Sequence, residues 1–246
     1  MIKKIFYGLS LLTLCACAEL TAVMDTYTTN APLTENEVAQ GLKEALRVGT
    51  DSAAARLGQQ DGYYGDALVK IQLPPQTDII VENAGKIPGG QRLVEDVLRH
   101  INRAAEQAAG EAGPVFWEAI RQMSISDAFT LLKGEPSAAT DYLKENTYDA
   151  LFELYQPKIE AALDKEIAAG ISPNASWESM TNKWNRIADN PLGKMAGLNA
   201  VKVDLDTYLT QEALNGLFVK IAQEEAAIRE NPQARVNALL KRVFGS

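Results

Sequence analysis

The stretch QRLVEDVLRHINRAAEQAAGEA, residues 91–112, decides the fold class. Its apolar residues recur every three or four positions and alternate with charged and polar residues, which is typical of an amphipathic α-helix with one buried face. The apolar positions are Leu93, Val97, Ile101, Ala104 and Ala108. The same periodicity returns through most of the chain. We therefore expect an all-α protein.

Capping residues and prolines mark the ends of the other predicted helices. Thr34 and Glu37 have the spacing of a capping box, with Gly58 as the stop signal of that helix, and Ser124 to Asp127 begin a short helix that Gly134 closes. The further predicted helices are 75–86, 115–123, 136–146, 147–168, 176–188, 211–230 capped by Thr210, and a last helix from Asn231-Pro232. Pro157 is expected to kink the helix over 147–168 or to end a turn early. The pattern predicts a compact bundle of about eight or nine helices.

One short segment departs from helical periodicity. Val69 to Leu73 alternates between apolar and polar residues, as an extended strand does, and it lies between an Asp61-Gly62 turn signal and two prolines. A single strand has no partner with which to form a sheet. We therefore expect residues 34–246 to form a single helical domain, with 190–203 as its longest irregular connector.

The N-terminus has the form of a bacterial export signal. Lys3 and Lys4 precede an almost wholly apolar run, 5–14, of about ten residues, which is too short to cross a bilayer as a mature helix. The next residues, LCAC at 14–17, resemble the lipobox of bacterial lipoproteins. In that pattern a leucine and a small residue precede the cysteine that receives the lipid, which is Cys17 here.

This resemblance predicts how the chain is processed and where it resides. Residues 1–16 would be removed as a signal peptide, and 17–33 would form a lipidated N-terminus and flexible tether. Ala18, rather than Asp, follows Cys17, which implies an anchor on the periplasmic face of the outer membrane. The alternative is an ordinary secretory signal cut near Ala16 or Ala18, which would release a soluble periplasmic protein. In either case the mature body has no reactive thiol beyond residue 17.

Charge argues against nucleic acid as a partner. The chain carries a formal net charge of −8, and loss of residues 1–16 removes Lys3 and Lys4 but no acid, which lowers that charge by two. No dense run of Lys and Arg appears, although a surface that binds a duplex needs clustered cations. We expect contact with a membrane through the lipid anchor, and with an envelope protein or a small apolar ligand.

Three long segments carry a resemblance to a known family. They are GLKEALRVGTDSAAARLGQQDGYY at 41–64, NRAAEQAAGEAGPVFWEAIRQMSISDAFTLLKGEPSAATDYLKENT at 102–147 and YLTQEALNGLFVKIAQEEAAIRENPQARVNALLKRVFG at 208–245. In the residues of these segments and in their spacing, the chain resembles the bacterial domain of unknown function 4197 family over nearly all of 34–245. The resemblance implies secretion, a lipoprotein-type start and a helical body. It implies no activity, substrate or catalytic residue.

Motifs for metals, phosphates and nucleophilic catalysis do not occur. The chain has one histidine, His100, so a multi-histidine metal site cannot form. Asp204-Leu-Asp206 begins like a calcium loop, but Leu209 stands at the glycine position and Asn215 at the final acidic position. Asp204 is better explained as a helix cap. We therefore expect neither a metal nor a cofactor.

Polar residues on several predicted helices form the candidate site. They form helical ion pairs at Arg103–Glu106 and Glu225–Arg229, and such pairs most often lie in solvent or bridge helices. The full set is Asn102, Arg103, Glu106, Asp127, Asp141, Glu225 and Arg229. Convergence of these residues in a pocket would indicate a ligand site, or a pair of carboxylates for hydrolysis.

Three functional hypotheses follow from these observations. The first is a non-enzymatic binding or scaffolding module of the cell envelope. The second is a carrier of lipid or another small ligand in an apolar cavity, and the third is an envelope hydrolase that uses paired carboxylates. Aromatic residues that would line such a cavity, if they do not simply form the core, are Phe116, Trp117, Trp177, Trp184 and Phe218.

Overall fold

Helices account for the regular structure in a computed structural model that describes residues 33–78, 81, 90–166, 170, 172–195, 197 and 199–244. Within these residues the chain forms nine α-helices, two short 3-10 helices and no β-strand, which confirms the all-α prediction. The α-helices are α1 (Glu35–Leu57), α2 (Gly90–Gly110), α3 (Gly113–Gln122), α4 (Ile125–Lys133), α5 (Ala138–Asp164), α6 (Pro173–Ala188), α7 (Pro191–Met195), α8 (Leu205–Glu230) and α9 (Ala238–Phe244).

Two reciprocal capping boxes start helices where the sequence predicts them. At α1 the Glu37 amide donates to Thr34 Oγ1 at 3.2 Å, and the Thr34 amide donates to Glu37 Oε2 at 2.8 Å. At α4 the Asp127 amide donates to Ser124 Oγ at 3.1 Å, and the Ser124 amide donates back to Asp127 Oδ2 at 3.0 Å. These contacts involve residues three positions apart, so the local sequence suffices to specify them.

Helix α5 is longer than predicted. The predicted break at Asn146 and Thr147 is wrong, because one helix runs from Ala138 to Asp164 and continues through Pro157. Asn146 Nδ2 donates to the Tyr142 carbonyl at 2.8 Å, and Thr147 Oγ1 donates to the Leu143 carbonyl at 2.6 Å. Both polar side chains therefore bond within the helix instead of ending it.

Helix α8 begins earlier than predicted, so Thr210 is not its cap. Asp204 caps the helix, and its Oδ1 accepts from the Thr207 amide at 3.2 Å. Thr210 lies in the second turn, fully buried, and its hydroxyl has no hydrogen-bond partner among the described residues. The predicted role of Asp204 as a helix cap is thus confirmed.

The chain differs from prediction in three other segments. Pro75–Thr77 forms a 3-10 helix, and most of the predicted helix 75–86 lies outside the described residues. The predicted irregular connector 190–203 contains the short helix α7. The predicted last helix starts as a 3-10 helix at Pro232–Ala234, and Val236 is 66% exposed because α9 begins only at Ala238.

Helices α1 and α5 organise the fold. Helix α1 contacts α2, α3, α4, α8 and α9, and α5 contacts α2, α3, α4, α6 and α8. One buried apolar cluster draws on α1 to α6 and α8, and the Phe116 and Phe218 rings meet edge to face within it, 6.2 Å apart. Apolar burial and aromatic contacts of this kind supply the main stabilisation of a helical body.

Gly41 on α1 permits the close approach of α9, the last helix. A Cβ built at Gly41 would lie 2.5 Å from Val243 Cγ2 on α9. We expect Gly41→Ala to lower the free energy of unfolding by about 1–3 kcal/mol, because α9 must move away from α1. Chemical denaturation measures the loss, and hydrogen exchange should show that it is greatest in 238–244.

A second glycine provides the control for this experiment. A Cβ built at Gly110, the last residue of α2, meets no heavy atom within 4 Å. Gly110→Ala should therefore raise the unfolding free energy by a few tenths to about 1 kcal/mol through reduced backbone entropy. A similar loss of stability in both variants would contradict the proposed packing of α9.

Candidate functional site

The predicted polar residues do not converge on one pocket. Two of them serve at helix starts, since Asp127 completes the α4 capping box and Asp141 Oδ2 accepts from the Ser137 hydroxyl at 3.0 Å. The other five form two groups, one on α2 and one on α8, and no hydrogen bond or ion pair joins the groups within the described residues. The group on α2 contacts the connector that follows α1, and the group on α8 contacts the end of α4 and the start of α5.

Asn102 on α2 holds an extended segment that has no strand partner. Its side chain is fully buried. Its Oδ1 accepts from the Ile71 amide at 2.9 Å, and its Nδ2 donates to the Ile71 carbonyl at 3.0 Å and the Leu98 carbonyl at 2.7 Å. No β-strand forms over 69–73, as expected for a strand-like segment without a partner. One side-chain amide satisfies the backbone groups of Ile71 that a neighbouring strand would otherwise pair.

Glu106, one turn further along α2, binds the same connecting segment. It is 4% exposed, and its Oε1 lies 3.3 Å from the backbone amides of both Tyr63 and Tyr64, which donate to it. Its Oε2 accepts from Arg103, whose guanidinium also donates to Asp61 Oδ1 at 2.9 Å. Asn102, Arg103 and Glu106 thus fasten the connector between α1 and the 3-10 helix at Pro75–Thr77 to α2.

Glu225 and Arg229 on α8 join the end of α4 to the start of α5. Glu225 Oε2 accepts from the Thr140 amide at 2.8 Å and hydroxyl at 2.7 Å, and its Oε1 accepts from the Ala139 amide at 3.2 Å. Arg229 Nη2 donates to Glu225 Oε1 at 2.7 Å and to the Leu131 carbonyl at 3.0 Å. The carboxylate therefore lies at the positive end of one helix dipole and the guanidinium at the negative end of another.

These contacts occupy the two buried carboxylates of the predicted polar set. Both oxygens of Glu106 and both oxygens of Glu225 already accept hydrogen bonds from backbone or cationic donors. A general acid must carry a proton and present it to a substrate. In this arrangement neither residue is free to do so.

The predicted aromatic residues mostly belong to the core. Phe116, Phe218 and Trp177 are at most 8% exposed, whereas Trp117 is 46% exposed, and the Trp184 side chain lies outside the described part of the chain. An apolar crevice does occur between α1 and α8 beside Glu225 and Arg229. Its volume is about 20 Å³, which suits roughly one water molecule and not an acyl chain.

Acidic residues meet near the start of α8 without forming a metal site. Burial, and then the charges of Asp204, Glu160, Asp164 and Glu178, raises the pKa of Asp206 above its ordinary value. Even so, no three His, Cys, Asp or Glu side chains among the described residues are arranged to hold a metal ion.

An open groove between α2 and α5 is a candidate binding surface. It has a volume of about 600 Å³, within the usual range for ligand sites. Its apolar part comes from small or aliphatic residues that include Ala104, Leu154 and Pro157. Because Pro157 lacks an N–H, the Glu153 carbonyl loses its usual helical donor at this point. We call this surface the α2–α5 groove.

Three of the six polar residues that line the α2–α5 groove are cationic. Arg103, Lys158 and Lys165 line it together with one carboxylate, that of Glu153. Lys158 Nζ lies 3.0 Å from the carboxylate of Glu111 on α2, whereas Lys165 forms no ion pair with any described residue. The groove thus combines cations with an apolar surface in a chain of net charge −8.

His100 also lines the α2–α5 groove. It is half-buried, and its Nδ1 lies 2.7 Å from the Asp96 carbonyl. Because a carbonyl only accepts, Nδ1 carries the proton, which leaves Nε2 as the acceptor of the neutral ring. Helical periodicity places His100 and Arg103 on one helix but does not show that this helix packs beside α5.

By its fold and surface, the chain is an all-α protein with open surface grooves, and buried polar contacts hold its helices together. Residues 32–245 match the model of a family described as "Protein of unknown function (DUF4197)", and the chain belongs to this family. This match confirms the resemblance found in the sequence. Searches of curated proteins and of solved structures each found no significant match.

The predicted membrane anchor lies outside the described residues. Cys17, the predicted lipidation site, falls within 1–32, as do the signal peptide and nearly all of the tether. None of the described helices has the length and hydropathy needed to cross a membrane.

Proposed function

We propose that this protein is an outer-membrane-anchored periplasmic lipoprotein, and that it acts as a non-enzymatic binding module of the cell envelope. The α2–α5 groove would be its binding surface. The observation that carries the proposal is the contrast between the buried acids and the groove. The buried acids bind backbone amides, whereas the groove presents apolar side chains and the exposed Lys165, which forms no ion pair with a described residue.

The groove favours a partner segment of defined chemistry. Lys165 offers an unpaired charge that complements a carboxylate, and Lys158 would offer a second when it exchanges its Glu111 partner for the ligand. Ala104, Leu154 and Pro157 offer apolar contact. A peptide segment with a few apolar residues flanked by acidic residues satisfies both requirements. The approximate volume of 600 Å³ suits a short segment rather than a whole domain.

The anchor is tested by lipid labelling in the host bacterium. Radiolabelled palmitate should enter the wild-type protein, and Cys17→Ser should abolish incorporation because the acceptor thiol is lost. Cys15→Ser is the matched control, since it removes a thiol that lies in the predicted signal peptide. Equal labelling of the Cys17→Ser variant would contradict the anchor.

The groove is tested by site-specific photo-crosslinking in living cells. A photoreactive residue at Gln107, an exposed lining residue on α2, should form a discrete adduct. The same probe at Gln211, an exposed glutamine on α8 that does not line the groove, is the control. Adducts of equal yield at both positions would argue against a specific surface.

Charge reversal distinguishes binding in the groove from incidental contact. The double variant Lys158→Glu with Lys165→Glu should reduce the Gln107 adduct by about tenfold, because two attractive charges become repulsive. The pair Lys194→Glu with Lys241→Glu makes the same change in net charge at exposed positions that do not line the groove. An adduct that survives reversal in the groove would overturn the proposed surface.

A further inference from the structure

A second groove lies where α1 and α2 end and α3 begins. It has a volume of about 360 Å³, and its surface is formed largely by glycine and alanine. The helix ends touch here, since a Cβ built at Gly58 would lie 3.0 Å from the Gly110 Cα. Trp117 stands at the edge of this surface, which we call the Trp117 groove.

Trp117 is held in place although it is exposed. Its ring is 46% exposed, and its Nε1 donates to Asp51 Oδ1 on α1 at 2.7 Å. A Cβ built at Gly113 would lie 3.6 Å from the ring, so the first turn of α3 lies directly beside it. A large aromatic surface that is open to solvent yet fixed in orientation is suited to recognition.

The electrostatics of the Trp117 groove favour a cation. Among the described residues that line it, Asp51 alone carries a formal charge. The groove lies at the C-terminal ends of α1 and α2, where helix dipoles contribute partial negative charge. Pairing reduces these helix-end contributions on both sides. The Val115 and Phe116 amides of α3 donate to the Ala112 carbonyl, at 3.1 and 3.4 Å, and the Ala108 and Ala109 carbonyls of α2 accept from the Glu111 and Ala112 amides, at 3.0 and 3.1 Å. Asp51 is therefore the main negative charge of the groove.

We propose that the Trp117 groove binds a guanidinium or ammonium side chain presented by a partner protein. The Trp117 ring supplies a cation–π surface, for which tryptophan is the best of the aromatic side chains. Asp51 supplies the counter-charge while it orients the indole. Its Oδ2 lies 3.3 Å from Arg47, which also pairs with Glu44 at 3.0 Å, so the formal charges of these three side chains still leave one negative charge beside the ring. This inference is independent of the α2–α5 groove.

The test uses the full-length protein in detergent with ¹⁵N-labelled tryptophan. The chain has three tryptophans, so three indole signals are expected, and Trp117→Phe identifies the relevant one. N-acetylarginine amide is the probe, and the uncharged isostere N-acetylcitrulline amide is its control. We expect the arginine probe to shift the Trp117 signal saturably, and the citrulline probe to leave it unchanged.

Two variants separate binding from a purely structural role. Asp51→Asn keeps an oxygen acceptor for the indole but removes the charge, and it should weaken arginine binding at least about fivefold while the Trp117 signal persists. Gly110→Leu fills the groove without a clash at Cβ and should abolish the shift. Gln122→Leu adds the same side chain at an exposed position on α3 outside the groove and should have no effect.

Three outcomes would overturn the proposal. Equal shifts with arginine and citrulline would show that charge is not recognised. Retained binding in Gly110→Leu would place the probe elsewhere. A response to a chitin oligosaccharide, without a response to arginine, would make the groove a glycan platform instead.

Discussion

Replacement of Glu225 by alanine is expected to lower the free energy of unfolding by about 3–5 kcal/mol. The carboxylate is 8% exposed and accepts from the Ala139 and Thr140 amides, the Thr140 hydroxyl and Arg229. Its loss leaves these donors and a largely buried guanidinium without their acceptor. Urea denaturation of the variant and the wild type measures the difference.

An exposed ion pair on α3 is the control that shows how much burial contributes to the stability loss expected at Glu225. Glu118 and Arg121 are also a helical ion pair, with an oxygen–nitrogen distance of 2.7 Å, but their side chains are 50% and 76% exposed. Glu118→Ala should therefore change the unfolding free energy by less than about 1 kcal/mol. Similar losses at Glu118 and Glu225 would refute the view that Glu225 joins α4 and α5 through buried contacts.

The second large effect is expected from Asn102→Asp, which should lower the free energy of unfolding by about 4 kcal/mol near neutral pH. The new carboxylate would be buried against the Ile71 and Leu98 carbonyls, which are acceptors 3.0 and 2.7 Å from the present amide nitrogen. Both repulsion and burial would raise the pKa of this introduced acid in the folded state. The loss of unfolding free energy should therefore be small at acidic pH, where the acid is protonated in both states. It should grow as the pH rises above about 4, where the acid ionises in the unfolded chain.

Asn146→Asp is the control for this pH dependence. Asn146 also donates to the carbonyl four residues earlier, that of Tyr142 at 2.8 Å, but it is exposed on α5. Water can solvate an introduced carboxylate there, so we expect a change below about 1 kcal/mol at any pH. A flat pH profile for Asn102→Asp would show that position 102 is hydrated and does not fasten Ile71.

Local signals in the sequence predicted the helix starts well. The Thr34–Glu37 and Ser124–Asp127 boxes depend on residues three positions apart, and both form as expected. Thr210 was misjudged for a related reason. A threonine before an apolar run has the form of a cap, but Asp204, six residues earlier, caps a helix that already includes Thr210. Propensity alone does not decide between two suitable caps in one segment.

The polar site could not be assembled from sequence because its contacts join distant parts of the chain. Glu225 binds residues 85 and 86 positions away, and Asn102 binds Ile71 across 31 positions. The sequence identified the correct residue types but placed them in one candidate cluster, whereas the fold uses them at two helix junctions. The α2–α5 groove was missed for the same reason, since its two sides become neighbours only after α2 packs on α5.

The position of α1 next to the predicted tether has a mechanical consequence. The segment predicted to tether the protein leads directly into this helix, which contacts five other helices. In the proposed anchored state, tension on the lipid would act on a helix that packs against several others and not on one with a single neighbour. Extraction of α1 would then require several interfaces to yield together, so the body should withstand pulling forces from its own anchor better than a bundle attached through an outer helix.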